Sequence, residues 1–123
     1  MTDLKPAILL ALQNDAALIS LLGGQHIYQL MAPLATEFPR IVFWEYDNIG
    51  GTYADDTEQD SEIYIQIDIF CRNQSTSSIA QEVDKVMKSI GFFRIASPDQ
   101  YNDDNDAQIY EKHMRYFIFT QTN

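Results

Sequence analysis

The sequence predicts an α+β fold: a two-layer domain with a mainly antiparallel sheet of about four to five strands. The sheet packs against an N-terminal helical segment and a helix at about 76–90. Three observations carry this prediction. First, Glu62 to Cys71 reads E-I-Y-I-Q-I-D-I-F-C, so Ile63, Ile65, Ile67, Ile69 and Cys71 alternate with Tyr64, Gln66, Asp68 and Phe70. Strict period-two alternation of β-branched residues is the strongest strand signal in a single sequence. Second, a helix with a matching apolar stripe follows directly and supplies a cover for the isoleucine face. Third, helices, strands, helix and strands succeed one another without a linker, repeat or low-complexity tract, so residues 1–123 form one domain.

Residues 3–22 read as helix with one break. Pro6 suits a first turn, where its missing N–H is not needed. Ile8, Leu9, Leu12 and Ala16 recur at helical spacing, and Asn14 or Asp15 caps a second short helix, Ala16 to Leu22. Gly23-Gly24 stops it in a left-handed C-cap. His26-Ile27-Tyr28 is a short strand or an extended connector, and residues 29–39, punctuated by Pro33 and Pro39, are irregular. Arg40 to Tyr46 is a strand with large groups on both faces: Val42, Trp44 and Tyr46 on one, Ile41 and Phe43 on the other. Such a strand is central or is completed by another chain. It pairs with the isoleucine strand as an antiparallel hairpin, 40–47 against 62–71.

Residues 48–61 between them form a long, mobile acidic loop carrying Asp55, Asp56, Glu58 and Asp60. The helix at about 76–90 begins in a Ser/Thr cluster rich in N-caps and presents Ile79, Val83, Val86, Met87 and Ile90 as one stripe. Gly91 ends it. Phe92 to Ala96 is a further strand, and residues 97–108 are a second acidic loop with Asp99, Asp103, Asp104 and Asp106. Ile109 to Thr120 is a long closing strand, with Tyr110, Met114, Tyr116 and Ile118 on one parity and His113, Arg115, Phe117 and Phe119 on the other.

Eight Lys and Arg against 18 Asp and Glu leave a net charge of -10. That balance disfavours nucleic-acid binding, which needs cations against phosphates, and docking on anionic lipid. No apolar run reaches spanning length, and M-T-D-L-K-P lacks the basic start of a signal peptide, so no membrane partner and a cytoplasmic origin are expected. Cys71, the single cysteine, falls on the isoleucine face and reads as a small core hydrophobe in a reducing compartment.

The search for chemistry is empty. The acidic loops lack the spacing and the glycine of a calcium loop, and read as solvated segments. His26 and His113 have no ligand-type neighbours, one cysteine makes no thiolate zinc site, and Gly50-Gly51 lacks the lysine of a phosphate loop. No catalytic residue, cofactor or metal ligand is assigned. What stands out is aromatic area: Trp44, Tyr46, Tyr64, Phe70, Tyr110 and Tyr116 form a candidate assembly interface, since aromatics concentrate at interface centres. The bland alternative has the loop 29–39 covering that face.

Several stretches together resemble a known family. They are L-I-S-L-L-G-G at 18–24 with H-I-Y at 26–28, A-P at 32–33, and F-P-R-I-V-F at 38–43. I-Q-I-D-I-F follows at 65–70, leading into a helix that starts in Ser/Thr, and R-Y-F-I-F closes at 115–119. In order and spacing the chain resembles the small tail-completion, or tail-terminator, proteins of long-tailed bacteriophages and prophages. The resemblance implies an α+β subunit of a ring, typically of six copies, at the head-proximal end of the virion tail, made and assembled in the host bacterial cytoplasm. It implies that the ring stops tail-tube polymerisation and joins the tail to the head connector, with no catalytic residues. Its partners would be further copies of itself, with a monomer before assembly, the tail tube protein, and a head connector or head-completion protein. Genomic DNA would pass the lumen without specific binding, repelled by acidic loops. Two other readings are kept: a head-completion or connector protein of the same virion, and a small cytoplasmic metal-dependent enzyme or regulator using the acidic loops.

Overall fold

The computed structural model describes residues 3–34, 36–50, 53–54, 57–58, 60–104 and 107–121. The helical start is two helices, α1 (Lys5–Gln13) and α2 (Ala16–Leu22), bent 77° at their junction. Asp15 makes the break. Its backbone is extended, and its Oδ2 accepts the Leu18 N–H at 3.1 Å, satisfying a donor that α2 leaves unpaired. Gly23 closes α2 at φ 76°, the left-handed cap expected there.

Strand β1 (Ile27–Gln29) runs parallel to β2 (Arg40–Gly50), which forms the expected antiparallel hairpin with β5 (Asp60–Arg72). The hairpin is longer than anticipated, running from Arg40↔Phe70 to Gly50↔Ser61 with a bulge between Glu45 and Asp47. Between its arms lie two short paired strands, β3 (Tyr53–Ala54) and β4 (Thr57–Glu58). Much of the stretch 48–61 is thus extended backbone rather than loop. Asp55 and Asp56 lie outside the described residues.

Helix α3 (Ser77–Ser89) buries Ile79, Ala80, Val83, Val86 and Met87. Its N-cap position, Thr76, makes no side-chain cap; Ser75 Oγ accepts the Ser77 N–H instead, at 3.1 Å. Strand β6 (Phe93–Ala96) follows the turn at Gly91, and the chain ends in β7 (Asp99–Asp104) and β8 (Ala107–Gln121). The second acidic loop is therefore corrected: most of 97–108 is a hairpin, with β7 paired to β8 from Asp99↔Lys112 to Asp104↔Ala107. Its polar sequence hides the strand because an edge strand exposed on both faces needs no apolar alternation. Cross-strand pairs hold it instead: Lys112 Nζ lies 3.0 Å from Asp99 Oδ1, and the Tyr101 and Tyr110 rings stand 5.1 Å apart.

The sheet has six strands rather than four or five. Its order is β1-β2-β5-β8-β6, with β7 also on β8, and every pair but β1–β2 is antiparallel. All three helices lie on one face. There Ile63, Ile65, Ile67, Ile69 and Cys71 of β5 join Ile41, Phe43, Met114 and Tyr116 in a core with Ile8, Leu12, Leu18 and Leu22. The periodicity of β5 thus becomes the central layer of the molecule.

Candidate assembly interface

The other face of the sheet carries no helix. Pairing registers define its rows. At the end nearer Gly50, Tyr46, Tyr64, Phe117 and Phe93 line up across β2, β5, β8 and β6. Tyr46 and Tyr64 are 5.7 Å apart and Tyr64 and Phe117 5.3 Å, centroid to centroid, in tilted packing. Trp44, Ile49 and Phe119 border this row, and all three are exposed. Phe93 is the most open of the aromatics, at 68% exposure. Grouped apolar side chains exposed on a sheet face make this row the candidate interface.

The half of the face toward Arg72 is polar and tied together by side-chain pairs. His113 Nδ1 lies 2.6 Å from Asp68 Oδ1, and Nε2 lies 3.5 Å from Glu111 Oε1. Gln66 donates to Asp68 at 2.8 Å and accepts from Arg115 Nε at 3.1 Å. At its end the Arg40 guanidinium sits between Phe38 and Phe70, 4.6 and 4.3 Å from the ring centroids. Burial pulls the Arg40 guanidinium down, and the negative charges of Glu111 and Glu37 partly offset this. His113 therefore has a carboxylate neighbour, Asp68, that its sequence surroundings do not announce, because Asp68 is 45 residues away and arrives by strand pairing. Among the described residues no group of three or more His, Cys, Asp or Glu is placed to hold a metal ion. Cys71 is buried, and burial pushes its thiol up, away from the reactive thiolate.

The six aromatics singled out from the sequence divide. Trp44, Tyr46, Tyr64 and Phe70 lie on the open face. Tyr116 does not: it is completely buried under the helices, and its hydroxyl donates to Asp84 Oδ1 at 2.9 Å. Tyr110 is on that same side, opposite Cys71, and is half-buried at the edge of the core. Both belong to the parity of Met114, so no surface role follows for Tyr116. Ile49, Phe93, Phe117 and Phe119 were missed. For Phe117 and Phe119 the signal was present, since they share parity with the polar His113 and Arg115. The loop before β2 does not close the face: Phe38 reaches Arg40 at one end, while Leu30, Met31 and Leu34 are exposed.

The acidic stretches are not brought together. Asp60 opens β5 opposite Gln121, whereas Asp99 pairs with Lys112, itself opposite Ile69. Nine residues of strand separate the two levels, about 30 Å. Glu58 is in β4 and Asp103 and Asp104 are in β7, while Asp106 lies outside the described residues.

Comparison with known proteins agrees with this architecture. A family model described as tail completion protein gp17 matches residues 6–106. A chain from a solved structure titled "Virion of native gene transfer agent (GTA) particle" superposes with a TM-score of 0.59. That match is at 12% identity and covers 92% of each chain, a likeness of fold. No curated protein matches. With the family model spanning most of its length, the chain belongs to the tail completion protein gp17 family and is a structural protein of phage-type virions.

Proposed function

We propose that this protein caps the head-proximal end of a phage tail tube as a ring and provides the surface to which the head connector joins, by assembly and without catalysis. The observation that carries the reading is the helix-free sheet face with its exposed aromatic row, Tyr46, Tyr64, Phe117 and Phe93, beside Trp44 and Phe119. A domain that acted alone would have no reason to leave this area in water.

The acidic segments refine the roles of the two ends. They sit at opposite ends of the sheet, so one end meets the tail tube and the other the head connector or head-completion protein. A heterologous contact between copies closes the ring, six-fold as the family implies, from chains that are monomeric before assembly. The surplus of negative charge keeps the passing genome from adhering to the lumen.

The test replaces Asp55, Asp56, Glu58 and Asp60 together by Ser in the phage. Unchanged melting of the purified chain with defective tail joining or DNA passage is expected, and normal infectivity would remove the role given to this segment. Recovery of the chain on tails purified without heads is the second expectation. Its presence on heads alone would favour a head-completion protein.

A further inference from the structure

Among the described residues, two edges of the sheet pair with no further strand, and they stand at the same height. β1 pairs only with Ile41–Phe43 of β2, and among the described residues no strand pairs with the outer edge of Trp44–Asp47. Leu30, at φ 69°, turns the chain away where this bare length begins. On the far side β6 is itself an edge strand, with Phe93, Arg94 and Ile95 all exposed. Registers across the sheet place the two edges level: Trp44↔Gln66↔Arg115↔Ala96 and Asp47↔Tyr64↔Phe117↔Phe93. Three antiparallel pairings separate β2 from β6, so the two strands run in opposite directions.

From this we infer that β6 of one copy adds to the bare edge of β2 in the next, antiparallel, so that the sheet continues from subunit to subunit. The inference rests on the ring reading above and specifies its contact. A copy displaced sideways by one sheet width, without turning over, brings the two edges together at matching height. The contact is heterologous, so repeated around an axis it can close. Both strands carry a bulge at this level, between Glu45 and Asp47 and between Arg94 and Ala96, so neither presents a regular ladder to a chance strand.

Apolar character complements across the junction. The charged groups near the two edges are largely answered within the subunit, Glu45 by Lys5 at 3.4 Å and Lys88 and Arg94 by Asp84 at 2.7 and 3.6 Å, so the apolar groups carry the match. On the open face, Phe93 of one copy would meet Trp44 and Tyr46 of the next and extend the aromatic row. Soluble monomers blunt edge strands with inward charges, prolines or covers, whereas here Phe93 and Ile95 stand uncovered.

The test places Trp44→Cys and Ala96→Cys in one chain. Within a subunit these positions lie three strand spacings apart, about 14 Å, beyond disulfide reach. Oxidation is followed on non-reducing gels, with light scattering in parallel over a range of protein and salt concentrations. Covalent multimers rising in steps of one chain, and released by dithiothreitol, are expected. Ile95→Lys, at a position exposed in the single chain, should leave melting unchanged and weaken association at least tenfold. Multimers by scattering without cross-links would overturn the edge pairing and leave self-assembly standing. Where the chain stays monomeric on its own, the same oxidation is run on chain sedimented with isolated tail tubes: co-sedimentation without cross-links would overturn the edge pairing, and no co-sedimentation would overturn the capping role.

Discussion

Tyr116 ties the core to helix α3 through a single hydroxyl. Its ring is fully buried, and burial, then its bond to Asp84, holds the phenol well above its ordinary range. Asp84 also takes Lys88 Nζ at 2.7 Å and lies 3.6 Å from Arg94. Burial pushes the Asp84 carboxyl up, but the hydrogen bonds from Lys88 and Tyr116 and the nearby cations outweigh it and leave it below its ordinary value. Tyr116→Phe should therefore cost about 1.5 kcal/mol, a hydrogen bond to a charged group, read from the urea midpoint. Because the folded carboxyl is the stronger acid, its stabilisation is complete above the unfolded value and is lost as pH falls through the folded one. The stability difference between wild type and Asp84→Asn should accordingly stay constant from pH 7 to about 5 and shrink below about 4.

At the scale of elements, the α1–α2 break depends on one carboxylate. Asp15→Ala should cost about 1 kcal/mol, as removal of an N-cap does. Asp15 has a second effect: the Glu82 carboxyl of α3 is raised, first by its interaction with the Asp15 carboxylate, then by desolvation, and further by the Asp15 charge. A raised folded value means that the Glu82 contribution is present at low pH and fades as pH rises through it. Asp15→Asn keeps the cap and removes the like charge, so it should match or exceed wild type at pH 7, with the advantage over wild type narrowing toward pH 4. Thermal melting at both pH values decides this. The β7–β8 hairpin makes a parallel point: it is a polar element held by cross-strand pairs, and its strand character comes from the partner rather than from its own sequence.

For the whole molecule, a net charge of -10 opposes any contact between copies. Raising salt screens that repulsion, with a Debye length of about 10 Å at 0.1 M. Light scattering should therefore show association strengthened by salt, the reverse of a contact held by exposed ion pairs. Trp44→Ser with Phe119→Ser should weaken association further while leaving melting nearly unchanged, since both side chains are exposed in the single chain. Association that weakens steadily with salt would point to ion pairs as the main attraction.

The sequence by itself determined the layer arrangement. The isoleucine alternation of β5, the stripe of α3 and the caps at Asp15 and Gly23 are local signals, written by periods of two and 3.6 and by backbone geometry that few residues adopt. The aromatic interface was half legible. Parity separated Tyr64 and Phe70 from the isoleucines of their own strand, but only strand pairing showed that Tyr116 faces α3 and that Phe93, Phe117 and Tyr64 share a row. The tertiary structure alone decided that β7 is a strand, that His113 meets Asp68, that the acidic stretches lie at opposite ends, and that the free edges of β2 and β6 are level. Each of these depends on register between segments distant in the chain. A strand's alternation specifies which face a side chain takes and carries no record of which residue stands beside it.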